Sequence, residues 1–386
     1  MDLTVDIAED LVGVNPADWD ALDHGGSPFT EYGFLRALER SRSVGEGTGW
    51  VPRYVLARRE GTLLGALPAY LKTHSYGEYI FDWSWASGAQ RAGLRYYPKL
   101  VVAVPMTPAT GRRILLPTGD DEAGRDRIAT SLVRGLMELA TRVGVSSVHW
   151  LFCSEAERAM LESRGFLGRT TFQFHWKNRD YSRFEDFLGA LRSRKRKQIL
   201  KERRKAAAAF ARIDFVDGAD MTAEDTRALD RFYRGTVAQR GGIPYLEPGF
   251  FEALCELSAK RVRFCRVIDD RDALFAGALY LETPQGLFGR YWGSDNDAPF
   301  VHFEAAYYAG IERCIARGIP RFEAGAQGEH KLLRGFLPTK THSCHWFAHP
   351  GLSRAVGEAI HHEEIVTSHR MRALAEYGPF KASSPG

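Results

Sequence analysis

Apolar residues flank a short charged turn twice along the chain. From Val55 the sequence reads VLARREGTLLGALPAYL, and from Val267 it reads VIDDRDALFAGALYLE. Strand-like stretches broken by Arg, Asp, Glu and Gly predict a β-hairpin in each half. At an offset of 212, Val55 meets Val267, Arg59 meets Arg271, Leu63 meets Phe275, and Gly65-Ala66-Leu67 meets Gly277-Ala278-Leu279. The likeness continues downstream. A helical pattern from about Arg125 to Arg142 stops at Gly144 and runs into VSSVHWLF; another from Val301 to Arg317 stops at Gly318 and runs into IPRFEAGA. In the second, Phe303, Ala306, Tyr307, Gly310, Ile311, Cys314 and Ile315 recur at helical spacing and form one apolar face, with Asp297 and Pro299 as the start signal. Each half therefore orders hairpin, further strands, helix, strand. Parallel pairing around the helix, beside an antiparallel hairpin, predicts a mixed α/β sheet.

Between the repeats, residues 170–180 (TTFQFHWKNRD) read as a strand, and Phe184, Phe187, Leu188 and Leu191 form a helical face. This predicts a boundary near Tyr181: residues 1–180 as the first domain, and 181–386 as a basic helical arm plus a second domain that holds most of the chemistry. The length of 386 residues suits such a division, and 44% hydrophobic residues with eight tryptophans exclude a disordered or collagenous chain. Cys153, Cys255, Cys265, Cys314 and Cys344 are odd in number, scattered and without a C-x-x-C pair, so they read as buried thiols. No apolar stretch approaches the roughly 18 residues of a membrane helix, so no membrane span is expected. The acidic start MDLTVDIAED is unlike a signal peptide, which makes the cytoplasm the expected compartment.

Charge is concentrated in one place. Residues 191–205 (LRSRKRKQILKERRK) hold nine basic residues and one acid, net +8, whereas the whole chain is only +4. Arg192, Lys195 and Arg196, and likewise Lys197, Lys201 and Arg204, crowd at helical spacing, and such repulsion points to a polyanion or an acidic surface as partner, with Arg194, Lys195, Arg196, Lys197 and Lys201 as the binding candidates. An acidic carrier, a peptide and RNA all fit; aromatic residues for base stacking are missing from the run.

The repeated hairpin, helix and strand is the core order of the GNAT acyltransferase fold. The segment from Gly289 to Trp346, with Phe81–Ala86 (FDWSWA), Arg95–Leu100 (RYYPKL) and Pro105–Arg113 in the first half, resembles the FemAB-like, double-GNAT family of N-acyltransferases. The resemblance spans nearly the whole chain. It implies two tandem GNAT-like domains, each a mixed, mostly antiparallel sheet with flanking helices. It also implies transfer of an acyl group from acyl-CoA or an acyl carrier protein to a primary amine of a peptide or small molecule, without a permanently bound cofactor. Fem-type relatives use aminoacyl-tRNA as donor, which is the first alternative; a non-catalytic GNAT-like binding protein is the second. Many acetyl-CoA-using GNAT enzymes carry an Arg/Gln-x-x-Gly-x-Gly/Ala loop for the pyrophosphate just before the central helix, and neither half has it there. Before Val301 stand Asp295 and Asp297, so Thr107–Arg113 is the better anion cradle.

Acyl transfer to an amine needs a proton acceptor and donors for the oxyanion. Glu323, Glu329, His330 and Lys331 supply the catalytic candidates in FEAGAQGEHK. Gln327 and Arg334 join them as substrate-binding candidates, and Arg290, Tyr291 and Trp292 belong to the strand that the GNAT order places beside this one. Glu323 and Lys331 also read as a structural ion pair. His302 and Glu304 begin the helix but lie on different faces, so they do not act together, and His302 joins the substrate-binding candidates. Asp82 sits between Phe81 and Trp83, either a perturbed base or a buried, hydrogen-bonded acid. Tyr291, Trp292, Phe303, Phe336 and Trp346 suit an apolar acyl chain. His342, His345 and His349 alternate in a strand-like run that splits them between faces, so no metal site is expected.

Overall fold

The computed structural model describes residues 3–119, 121–326 and 328–381. The chain forms two units: Met1–Thr171 with Lys340–Ser368, and Phe172–Thr339 with His369–Gly386. A single boundary near Tyr181 does not describe this division. The stretch Lys340–Ser368 belongs with the first unit, because the strand Leu337–Phe347 pairs there (Cys344 opposite Trp150) and the helix Pro350–Glu376 buries Leu352, Val356 and Ile360 against Trp85, Tyr96 and Phe347.

In the first unit, β1 (Thr4–Ala8), β2 (Tyr54–Arg59) and β3 (Thr62–Leu67) form an antiparallel sheet in which Val55 stands opposite Ile7 and Leu67. A second sheet joins Trp50–Pro52, β4 (Ala69–Lys72), β5 (Lys99–Val102) and β6 (Ser147–Cys153) to the returning C-terminal strand. Only β5 and β6 are parallel, and the helix α1 (Glu122–Val143) connects them. Asp121 caps its start by accepting from the Gly124 N–H, and Gly144 ends it in the left-handed region at φ 68°. Its apolar stripe, Ile128, Leu132 and Leu136, packs on Val55, Leu100 and Trp150. His149 and His345 face each other across the sheet with their Nδ1 atoms 2.6 Å apart, while their Nε2 atoms bond Ser147 and Ser343. Complete burial holds both imidazoles well below the ordinary histidine range.

The second unit repeats that order. After β7 (Leu167–Lys177), which carries the chain into this unit, come the helix Phe184–Ala190 and α2 (Ser193–Ala206), the basic arm. The sheet then runs antiparallel through β8 (Arg212–Asp217), β9 (Val262–Ile268), β10 (Leu274–Thr283) and β11 (Gly286–Ser294), with α3 (Ala223–Gln239) and α4 (Phe250–Ser258) inserted after β8. β12 (Arg321–Glu323) pairs parallel to β11 and antiparallel to β7. Between β11 and β12 runs α5, made of Val301–Phe303, a π-helical Glu304–Tyr308 and Ala309–Ala316. The sequence pattern predicts this helix as one regular run; the π turn inside it is not visible in apolar spacing.

Pairing registers refine the internal repeat. Gly65 faces Ala57, but Gly277 faces Arg266, so the offset of 212 along the second strand of the hairpin becomes 209 along the first. The longer turn between Ile268 and Leu274 accounts for the difference.

Candidate active site in the second unit

Parallel pairing of β11 and β12 is limited to Leu287 with Phe322 and Phe288 with Glu323. β12 ends there while β11 continues to Ser294, so the strands part. Beyond this point the segment Glu329–Arg334 winds into a 3-10 turn. Gly328, at φ 108°, precedes it; a Cβ there would lie 2.4 Å from the His330 ring, so glycine makes room for the imidazole.

His330 Nε2 and the Tyr307 hydroxyl are 3.0 Å apart. His302 reaches the same place from the first turn of α5, its ring 5.2 Å from those of Tyr307 and Trp292 and 6.3 Å from His330. Phe303 stacks on Tyr307 and lies beneath the Arg334 guanidinium, 3.4 Å from the ring centre. Lys331 is 2% exposed and donates from Nζ to the Gly325 carbonyl at 2.7 Å. Burial, with the Arg240 guanidinium nearby, pushes its amine down to about 7. Burial and the surrounding cations likewise push His302 down to about 3 and hold His330 below its ordinary value, whereas burial raises Tyr307 to about 12. At neutral pH the cluster thus holds two neutral imidazoles, a protonated phenol and an amine near half-protonation.

Arg334 is fixed from behind. Its Nη2 donates to Glu202 Oε1 of α2 at 2.8 Å and its Nη1 to the His330 carbonyl at 2.8 Å. The Tyr308 hydroxyl donates to the other Glu202 oxygen at 2.5 Å. The single acid of the basic run is therefore buried and anchors the arm to the cluster. On the opposite face of α5, Arg203 forms a two-pronged bond with Glu304 and reaches Glu312 at 2.7 Å. His302 and Glu304 do lie on different faces.

The structure gathers His330, Lys331, Arg334, His302 and Trp292 and distributes the other candidates elsewhere. Glu323 is buried opposite His175, its Oε2 3.9 Å from His175 Nε2, and neither carboxylate oxygen has a hydrogen-bond partner among the described residues. Lys331 bonds the Gly325 carbonyl, and the cation near Glu323 is Arg321, with the His175 imidazole, held below its ordinary range by burial, opposite. Glu329 is exposed and pairs with Arg370, outside the cluster. Gln327 lies outside the described residues. Arg290 lies over the Tyr291 ring at 5.1 Å, and Tyr291 itself is core, packed on Tyr233, Phe250 and Phe251. Of the aromatic residues expected to line an acyl site, Phe336 is fully buried in the core of this unit and Trp346 packs against the core of the first. Trp292 and Phe303 remain beside the histidines.

Asp82 belongs to the first unit, where it is a buried, hydrogen-bonded acid. Its Oδ2 accepts from Lys99 Nζ at 2.5 Å and from the Tyr96 hydroxyl at 2.7 Å. Burial alone would raise it, but Lys99 holds it below the usual carboxylate range. Glu78, 2.8 Å from the same amine, is pushed up to about 7 by burial, and Lys72 is pushed down to about 7. The Thr107–Arg113 loop is no anion cradle: Arg113 is fully buried and donates to the Leu151 and Ala109 carbonyls, and Arg112 pairs with Asp23. His345 is engaged with His149, and the described residues contain no group of three or more His, Cys, Asp or Glu suited to a metal.

On α2, Arg194, Lys197 and Lys201 are exposed and Lys195 and Arg196 half-buried, all five without an ion-pair partner among the described residues. Three contributors to the cluster were missed by sequence reasoning. Tyr307 counted as core on an apolar helix face, Glu202 as the one acid of a basic run, and Arg240 was not singled out; the Gly241-Gly242 pair after Arg240 was the available signal.

No helix of the described residues is long and apolar enough to cross a membrane. No curated protein matches the chain. Among solved structures it is similar to FemX, with 11% identity, a TM-score of 0.53, and 92% of this chain and 100% of that chain covered. It is also similar to a conserved protein of unknown function from Bacteroides thetaiotaomicron VPI-5482, with 10% identity, a TM-score of 0.51, and 89% and 99% covered. A tandem GNAT protein from the clavulanic acid biosynthesis pathway matches at 11% identity and a TM-score of 0.44 over 90% and 99%. The fold is two tandem GNAT-like halves, each a mixed, mostly antiparallel sheet with flanking helices. The profile of the FemAB-like family, described as peptidoglycan biosynthesis/recognition, matches residues 10–382, so this chain belongs to the FemAB-like family.

Proposed function

We propose that the second unit carries out N-acyl transfer from a thioester donor, acyl-CoA or an acyl carrier protein, to a primary amine of a peptide or small molecule. FemAB-like membership and the GNAT fold support an acyl- or aminoacyl-transferase of the peptidoglycan-related kind. The observation that carries the finer reading is Lys331, a buried amine held near 7 just beyond the point where β11 and β12 part, beside the His330–Tyr307 pair. A free amine is a proton acceptor matched to neutral pH.

In this reading the acceptor nitrogen attacks the thioester carbonyl, forming the C–N bond. Lys331 Nζ takes the proton from that nitrogen. The C–S bond then breaks, and the Tyr307 hydroxyl, which burial keeps protonated, gives its proton to the leaving thiolate. His330, neutral and within hydrogen-bond distance of the Tyr307 hydroxyl, orients it; Lys331 then releases its extra proton to solvent, and Tyr307 regains one from solvent, so the net transfer moves the amine proton to the thiol. Arg334 and Arg240 contribute positive potential around the oxyanion. Trp292 and Phe303 offer apolar surface to the acyl chain.

The aminoacyl-tRNA reading is favoured by one observation, the unpartnered cations on α2. Incubating the protein with medium-chain acyl-CoA, acyl carrier protein or bulk aminoacyl-tRNA and a panel of amines tests both. Amine-dependent thiol release with a new amide in the mass spectrum, unaffected by RNase, is the expected result. Product from aminoacyl-tRNA alone, abolished by RNase, overturns the thioester reading; product from no donor overturns transfer altogether.

A further inference from the structure

Outside the cluster, a groove of about 850 Å³ opens between α2, β8 and α5. Its floor is apolar: Leu200, Phe210, Ile213 and Phe215, with Leu200 nearly half exposed. Arginines stand on both walls, Arg203 and Arg204 from α2 and Arg313 and Arg317 from α5 and its end. The two carboxylates in the groove, Glu304 and Glu312, are both bonded by Arg203, and Glu282 pairs with Arg313. Arg204 and Arg317 line the groove with no acidic partner among the described residues, and Arg196, Lys197 and Lys201 extend the unpaired charge along α2.

We infer that this groove docks an acidic, amphipathic helix of the carrier protein that brings the thioester; the inference rests on the thioester reading above. Three properties select that occupant. The apolar floor between two cationic walls matches a helix with an apolar ridge and acidic flanks. The cationic strip follows a helix of 14 residues, which at about 1.5 Å per residue spans roughly 21 Å, the length of a partner helix and not of a single headgroup. The recess is concave, which suits an inserted helix and not a flat anionic bilayer. The groove and the catalytic cluster also share two elements. α5 presents His302 and Tyr307 to the cluster and Ala309, Glu312 and Arg313 to the groove, and α2 joins the cluster through Glu202.

The test measures fluorescence anisotropy of a labelled apo acyl carrier protein of the acidic fatty-acid type against the full chain. In parallel, transfer from acyl-CoA is followed on the same samples. The expected result is salt-sensitive binding that falls tenfold or more in the Arg204→Glu, Arg317→Glu double variant, with acyl-CoA transfer unchanged. A carrier whose helix acids are replaced by lysine loses binding to the natural chain and regains it on the double variant. No carrier binding, or binding indifferent to the two arginines, overturns the inference while acyl-CoA transfer leaves the enzyme reading standing. RNA or anionic vesicles that bind through these arginines where the carrier does not also overturn it, as does a dimer that dissociates in the double variant. Arginine-dependent carrier binding without transfer from any donor upholds the docking and removes the enzyme reading.

Discussion

Glu202 and Arg334 form a buried ion pair, Nη2 to Oε1 at 2.8 Å, with each side chain about 5% exposed. One comes from the most basic stretch of the sequence and the other from the turn that carries His330 and Lys331. Removing one partner of such a pair leaves the other charge buried and typically costs about 3–5 kcal/mol. Glu202→Ala is therefore expected to lose about that much in urea unfolding. Arg194→Ala, on the exposed side of the same helix, is expected to change stability by less than about 0.5 kcal/mol.

Lys331 makes activity and stability depend on pH in linked ways. The neutral amine is the base, so kcat/KM is expected to rise with pH through about 7. Lys331→Met should lower the rate about 10²–10⁴-fold and remove that limb from what remains. Stability follows from the same numbers. Below about 7 both folded and unfolded chains hold the proton and the cost of burial is complete; between about 7 and the ordinary 10.5 only the unfolded chain holds it, so stability rises with pH. The methionine variant is expected to outlast the natural chain in denaturant at pH 6 and to lose that advantage by about pH 10.5.

Tyr307→Phe keeps the ring stack on Phe303 and removes the hydroxyl that meets His330. A drop in kcat with little change in KM is expected, measured with the same acyl-CoA and amine. Equal losses with oxygen-ester and thioester donors would contradict a role in protonating sulfur, because the two leaving groups differ in their need for a proton.

Asp82 is a buried partner of Lys99 and Tyr96 within the first unit. Lys99 is completely buried, and Asp82 and Glu78 neutralise it. Asp82→Ala is expected to destabilise the protein by about 3–5 kcal/mol in thermal or urea unfolding. Transfer per folded molecule should stay near that of the natural chain.

Much of the fold is legible because its signals are periodic. Val55–Leu67 and Val267–Leu279 alternate around turns, and α1 announces its end at Gly144. The turn carrying His330, Lys331 and Arg334 was also legible, as a run of polar residues bounded by glycines. What the pattern concealed is long-range. Tyr307 is apolar by its ring and polar only by the atom that meets His330, and Glu202 meets Arg334 across 132 positions. Glu329 shows the converse: next to His330 in sequence, it points outward to Arg370.

Acid should weaken the first unit through His149 and His345. Each is held below its ordinary 6.5 by burial, so the unfolded chain takes up protons that the folded chain refuses. The stability is complete above about 6.5 and is lost as pH falls below it. Urea midpoints at pH 7.5 and 5 are expected to differ in that direction, with a shallower slope in His149→Asn.

The first unit is built from two stretches of chain, and the long run Phe172–Thr339 of the second lies between them. On the ribosome, that run emerges before the strand from Lys340 that pairs with β6. The half made first is thus completed late, its β6 edge waiting for a distant segment. Shortening the chain from its C-terminal end strips the oldest part of the nascent protein of its closing strand, so a premature stop after Thr339 injures the beginning of the molecule.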